Sequence, residues 1–253
     1  MNPIQKLERW LEAALVSRLC QRDPQVLLDT LGPLFNRSPN LDDMPFDLSV
    51  QNGLQFEHFA GLFASNSLNH GVISLTIRQA AYLFGLIRQM KAKKVIEIGR
   101  YKGGSTFLIA AAMAGEGEFW SIDNDEKERR LYPPASGKTF DEQWVDLSRR
   151  FGLKARLIVG DSRTVELDTG EVDLVLIDGD HTYEGVRSDF ERFGKRVRVG
   201  GAVLLDDAFD DGFFKTELES VNRLANEIVA GKEFKFIRSV NRFAHLERVQ
   251  PNV

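Results

Sequence analysis

Carboxylates close five short apolar runs of this chain. Glu97 stands just before a glycine turn, and Asp123, Asp161, Asp178 and the pair Asp206-Asp207 follow four further runs. The turn carries Gly99, Tyr101, Gly103 and Gly104, and Ser105-Thr106 then open an apolar stretch. Glycines let a backbone turn tightly and let a ligand approach it closely. A helix start beside them offers unpaired N–H groups. This pattern suits a nucleoside cofactor, but the dinucleotide fingerprint needs Gly-x-Gly-x-x-Gly to seat a pyrophosphate. Here the spacing is Gly-x-x-x-Gly-Gly, and Glu97 would repel phosphate. A carboxylate at that place suits an ammonium. S-adenosylmethionine carries an amine and a sulfonium and no phosphate, so it is the expected cofactor. Asp123, about 20 residues past the turn, is placed for ribose hydroxyls. Asp161-Ser162 falls where the adenine would lie. The bland alternative is a Gly-Gly loop, a helix-capping Glu97 and a turn-forming Asp123.

A second group of acids points to a cation. If the runs ending at Asp178 and at Asp206-Asp207 are neighbouring strands, their ends lie about 4.8 Å apart. Three carboxylates so close destabilise one another without a positive charge. Oxygen ligands of this kind suit Mg²⁺, Mn²⁺ or Ca²⁺ rather than zinc. Alternatively, Asp206 and Asp207 cap a following helix and Asp178 begins a turn. His181, three residues after Asp178, is a candidate proton acceptor for a substrate hydroxyl near neutral pH; it could equally cap a helix or orient a carboxylate. His58, His70 and His245 read as structural or surface residues, with His70 the best outsider.

The elements that must position these groups change character along the chain. Apolar residues at helical spacing over residues 4–15, a capped segment from Asp23 to the stop at Gly32-Pro33, and loop chemistry over 36–53 make residues 1–75 a helical region without an obvious core. It is expected to act as a lid or a dimer contact. Further helices are read at 54–64 and 76–90. From residue 94, apolar runs at 95–98, 118–122, 156–159, 172–177 and 202–205 alternate with helical stretches at 105–114, 141–151 and 183–193. That alternation predicts a parallel sheet covered on both faces. A helix to about residue 230 and two runs at 234–240 and 242–247 follow, suggesting an antiparallel hairpin. Residues 76–253 thus form the expected cofactor-binding α/β domain, and residues 124–140 an insertion.

Composition sets outer limits. The chain has 253 residues, 43% of them apolar, enough for one α/β domain and an appendage. A net charge of −4 without a long basic block argues against nucleic acid. The single cysteine, Cys20, excludes an intrachain disulfide and a Cys-built zinc site. The first residues do not read as a signal peptide, and no apolar run approaches the roughly 20 residues needed to span a bilayer. A cytoplasmic protein with a small-molecule partner, and a homodimer as one arrangement, is the expectation.

These motifs together resemble class I S-adenosylmethionine-dependent methyltransferases, specifically the metal-dependent O-methyltransferases of the catechol O-methyltransferase type, and most closely their bacterial sugar and natural-product branch. The resemblance covers about residues 70–248. It implies a doubly wound, mostly parallel seven-stranded Rossmann-like sheet. Glu97, Gly99, Tyr101, Gly103, Gly104, Ser105 and Thr106 would line the methionine part of the cofactor, Asp123 the ribose, and Asp161, Ser162 and Asp178 the rest of the cofactor site. Asp178, Asp206 and Asp207 match the metal-ligand positions, with Mg²⁺ the expected ion. His181 stands where the animal enzymes carry a basic lysine. The Asp-Asp pair departs from the Asp-Asn or Glu-Asp of relatives. Two other readings share the sheet: an NAD-dependent oxidoreductase or epimerase, and a non-catalytic S-adenosylmethionine-binding protein. Phe209, Phe213 and Phe214 would either wall the acceptor pocket or join the core.

Overall fold

The computed structural model describes residues 54–56, 59, 73–124, 139–209 and 218–250. The expectations for the N-terminal helices, for His58, His70, Phe213 and Phe214, and for nearly all of the 124–140 insertion lie outside the described residues. In chain order the elements are α1 (Ile77–Met90), β1 (Lys94–Ile98), α2 (Gly104–Met113), β2 (Glu118–Asp123), α3 (Phe140–Phe151), β3 (Arg156–Val159), β4 (Val172–Ile177), α4 (Tyr183–Arg192), β5 (Val197–Leu205), α5 (Leu218–Ala230), β6 (Phe234–Val240) and β7 (Phe243–Arg248).

The strands form one sheet of order β3-β2-β1-β4-β5-β7-β6. The first five run parallel, and β7 lies antiparallel to β5 and β6. Strands covered on both faces must be apolar throughout. β1 (Lys-Val-Ile-Glu-Ile) is buried at its last four positions, and β4 at five of six. Helix α2 is apolar on every side and every residue of it is buried, as its composition demands.

Caps define the other helices. Thr76 accepts a hydrogen bond from Gln79 N while the Gln79 side chain accepts from Thr76 N, a reciprocal capping box. Thr139 and Glu142 repeat the device at α3, and Thr182 caps α4.

Two features of the sheet decide where a site can form. The strand order reverses around β1 and β4, which is where open α/β sheets leave a crevice. Ile98 pairs with both Ile122 and Ile177, and Ile177 pairs with Leu205. The carboxyl ends are therefore level, and Gly99, Asp123, Asp178 and Asp206 leave the sheet at one edge. Leu205 also pairs with Ala244, so the β6–β7 turn at Asn241-Arg242 reaches that same edge.

The doubly wound sheet and its terminal hairpin agree with the sequence reading. The largest difference is β5, which starts at Val197 rather than at Ala202. Its Gly200-Gly201 pair is carried inside the strand by a register shift between Val172 and Leu174. Gly200 has φ 74°, and a Cβ on Gly201 would sit 2.7 Å from the Asp173 carbonyl oxygen. Glycines in a strand commonly mark such a bulge.

Candidate active site

The glycine turn is fixed from several sides. Gly99 has φ 89°, and a Cβ there would stand 1.9 Å from the Asp178 carbonyl oxygen. Only glycine lets the exits of β1 and β4 pass so closely. Asp123 Oδ2 accepts hydrogen bonds from the Arg100 and Tyr101 backbone amides, at 2.8 and 2.9 Å. Arg100 is 1% exposed. Its Nε and Nη2 donate to both oxygens of Asp141, and Nη1 donates to the Ser121 carbonyl. The turn is thereby fastened to β2 and to the start of α3.

Beyond the turn lies a cavity of about 640 Å³, within the usual range for small-ligand sites. Gly99, Tyr101 and Asp123 line one part, Gly160, Asp161 and Ser162 the next, and Asp178 to His181 the third. Asp161 is held by its neighbour Arg163, whose side chain and backbone hydrogen bonds lower its carboxyl to about 2. Asp189 of α4 also lines the cavity. Burial, against a hydrogen bond from Ser162, lifts its carboxyl to about 6, and its Oδ1 is buried without a hydrogen-bond partner.

The acidic corner adjoins this cavity. Burial first, and then the Asp206 charge, raise Asp178 to about 8. Burial alone would lower the His181 imidazole, but Asp178, Asp207 and Asp206 outweigh it and lift the ring to about 9. His181 Nε2 is 3.4 Å from Asp178 Oδ1, and its Nδ1 is 3.2 Å from Asp207 Oδ2. Asp207 adopts φ 57°, a left-handed conformation that aspartate tolerates better than most residues. Gln79 Nε2 donates to Asp206 Oδ1 at 2.7 Å. Arg242 reaches in from the hairpin turn, with Nη2 3.4 Å from Asp206 Oδ2 and Nε 2.7 Å from Asp207 Oδ1.

Residues 96–208 match a family model described as a methyltransferase domain. Over those residues the chain is similar to a methyltransferase domain. It is 28% identical over 131 residues to catechol O-methyltransferase domain-containing protein 1 of Mus musculus, a match covering 52% of this chain and 48% of that protein. It is 28% identical over 155 residues to a probable caffeoyl-CoA O-methyltransferase of Dictyostelium discoideum, covering 59% and 62%. The chain spans from 28% to 66% of the length of six of the curated relatives it matches. In fold it is similar to the SAH-bound methyltransferase PaMTH1 of Podospora anserina, with a TM-score of 0.54 at 18% identity over 71% of this chain and 80% of that one.

The sheet edge brings most of the expected site residues together, but Glu97, Gly104, Ser105 and Thr106 are buried behind the turn and do not line the cavity. Glu97 is fully buried and does not line the cavity. It accepts hydrogen bonds from the hydroxyls of Thr106 and Ser121, so it and Thr106 brace the turn from inside. Burial pushes its carboxyl up. Ser105 and Gly104 are likewise buried in the helix start. Asp123 lines the cavity yet spends one oxygen on the turn. Phe209 packs on the core, its ring 6.0 Å from that of Phe236, rather than standing as a free wall.

The metal expectation meets a physical obstacle. Asp178, Asp206 and Asp207 do converge, but the oxygens of Asp206 and Asp207 already face nitrogens of the chain. Among the described residues, no group of three or more His, Cys, Asp or Glu side chains is arranged to hold a metal ion. The divalent ion does not fit this arrangement. His181, expected as a base near neutral pH, lies 3.4 Å from Asp178 and 3.2 Å from Asp207, and these acids hold its ring above the ordinary imidazole value.

Sequence reasoning missed Gln79, Arg100, Asp189 and Arg242. Arg100 lies inside the glycine motif, where an arginine among small residues was the available signal. Gln79 sits three residues after Thr76, which marks a capping box but says nothing about its second bond. Arg242 is about 35 residues from the acids it meets, and no local pattern connects them.

Proposed function

We propose that this chain is an S-adenosylmethionine-dependent methyltransferase acting on a hydroxyl of a small acceptor. One observation carries the reading. The cavity at the β1/β4 crevice is lined by Asp123, Asp161, Asp178, Asp180 and Asp189, while among the described residues its basic side chains are Arg163, committed to Asp161, and His181, held against Asp178. Such walls favour an ammonium and a sulfonium and disfavour the pyrophosphate of NAD. The solved relative with bound SAH, and relatives named as O-methyltransferases, support the same cofactor and acceptor class. The glycine turn, free of side chains at Gly99, supplies the close backbone approach that the cofactor's amino-acid end needs.

S-adenosylmethionine supplies an activated methyl and leaves as the neutral thioether. The chain's own residues then have three tasks. Gly99 and Tyr101 shape the wall beside the amino-acid end, and Asp123, which lines the cavity, is the residue for the ribose. Asp178 ionises against a positive sulfonium and, with His181 beside it, receives the proton of the acceptor hydroxyl. The new O–C bond forms as the S–C bond breaks, and Asp178 regains its preference for a proton once the positive charge is gone. Alignment in the cavity does the remainder.

The test is a screen of hydroxylated acceptors with methyl-labelled cofactor, run on the full chain and on Asp178→Asn. Label should appear on oxygen. The variant should lose at least about 100-fold in turnover while still binding S-adenosylhomocysteine. Full turnover in Asp178→Asn would remove Asp178 from the proton transfer.

A further inference from the structure

Every oxygen of the Asp206-Asp207 pair lies within ion-pair or hydrogen-bond distance of a nitrogen of this chain, the Asp207 Oδ1 contact with Arg242 Nε being an ion pair without hydrogen-bond alignment. Gln79 Nε2 stands on Asp206 Oδ1, Arg242 Nη2 on Asp206 Oδ2, Arg242 Nε on Asp207 Oδ1 and His181 Nδ1 on Asp207 Oδ2. A hard divalent ion needs the lone pairs of those same oxygens. Two of the four face a guanidinium, which keeps its charge at any pH a protein survives.

The backbone holds Arg242 at this place. Its carbonyl accepts a hydrogen bond from Ala208 N at 2.9 Å, which ties the hairpin turn to the residue just after the aspartate pair. Ala208 is in turn held by Asn222 Nδ2, which donates to its carbonyl at 3.0 Å. The preceding Asn241 has φ 50° and makes the tight reversal that points the chain back at the sheet edge. The left-handed Asp207 turns its carboxylate toward that hairpin. Side chain and main chain of Arg242 thus grip opposite sides of one three-residue segment, 206–208. The arginine side chain is 21% exposed and Asp206 only 3%, so the pair is largely withdrawn from water.

We infer that Arg242 is the resident cation of this corner, standing where a divalent ion would bridge Asp206 and Asp207, so that the site works without a bound metal. The inference rests on the methyltransferase reading for what the corner acts on, but its geometry does not. The guanidinium shares its one positive charge between two buried carboxylates from within the fold. A metal ion could enter only by displacing it, which would leave a buried positive charge beside another. Arg242 is in this sense a positioning residue. It fixes the aspartate pair, and through Asp207 it fixes the ring of His181 next to Asp178.

The experiment uses the full chain, stripped of metal, with saturating S-adenosylhomocysteine, titrated with Mn²⁺ and followed by electron paramagnetic resonance of the free ion. The native chain should show no stoichiometric Mn²⁺ site up to about 1 mM, the weak end of protein oxygen sites. Arg242→Ala and Arg242→Met should each gain one site at least about tenfold tighter, because the removed guanidinium leaves carboxylates without a counter-charge. Circular dichroism melts report whether each variant folds, and the methionine variant keeps the aliphatic packing if the alanine variant does not. A tight native site that Asp207→Asn abolishes would overturn the inference, as would folded variants that gain no site. If neither variant folds, the native titration decides alone: a tight site overturns the inference and its absence supports it. Calorimetry with S-adenosylhomocysteine, run on the same samples, separates the two claims. No binding of that ligand contradicts the cofactor reading and leaves the Mn²⁺ result to be judged by itself.

Discussion

His245 lies on β7 opposite Leu204 of β5, with its Nδ1 2.6 Å from the Tyr82 hydroxyl. Burial, reinforced by Arg238 and opposed by Glu247, pushes the imidazole from 6.5 down to about 4. The folded chain therefore keeps the ring neutral where the unfolded chain protonates it. Between those two values the unfolded state binds the extra proton, so stability rises with pH. The contribution is complete above pH 6.5 and is lost as the pH falls toward 4, with an upper bound of about 3 kcal/mol. His245→Gln, which cannot be protonated, should flatten the fall of melting temperature across that window. An equally steep acid limb in the variant would contradict the assignment. The same residue scale shows what could be read early. The glycine turn, Asp123 and Asp178 were legible because glycine and carboxylate at strand ends have few other uses. The inward orientation of Glu97 was not, because a carboxylate's side of a turn depends on hydroxyls, Thr106 and Ser121, that come from two other elements. Arg242 was illegible for the same reason at longer range.

At the scale of elements, the turn between β1 and α2 is held by a buried arginine rather than by its own glycines. Arg100 joins it to Ser121 of β2 and to Asp141 in the first turn of α3. Asp141 is 19% exposed, so the pair is mostly shielded. Truncating one partner strands the other carboxylate and frees a buried carbonyl. Arg100→Ala should cost about 3 kcal/mol in denaturant unfolding. Arg100→Lys should recover only part of that, since lysine cannot make the two-pronged bond. An unchanged denaturation midpoint in Arg100→Ala would show that the turn stands without this clasp. Most elements could be located from the sequence, because apolar runs and capping residues such as Thr139 with Glu142 act locally. β5 was begun five residues late because its glycine pair looks like a loop until β4 is beside it to form the bulge.

At the scale of the molecule, the parallel sheet, its reversal at β1 and β4 and the returning hairpin place the turns of five strands at one edge. Alternation of apolar runs and amphipathic stretches was enough to infer such a sheet. It did not say that the hairpin turn would come back to the acidic corner, since that depends on the antiparallel register of β7 against β5. Among the described residues no helix is long and apolar enough to cross a membrane. The whole edge is negative around an open cavity and carries its own positive charge in the corner beside it. The proposed function requires that this cavity take S-adenosylmethionine and not a dinucleotide. Isothermal titration of the full chain with S-adenosylmethionine and, separately, with NAD tests it most directly. Saturable heat at one site per chain is expected for the first and none for the second. Heat with NAD, and none with S-adenosylmethionine, would contradict it.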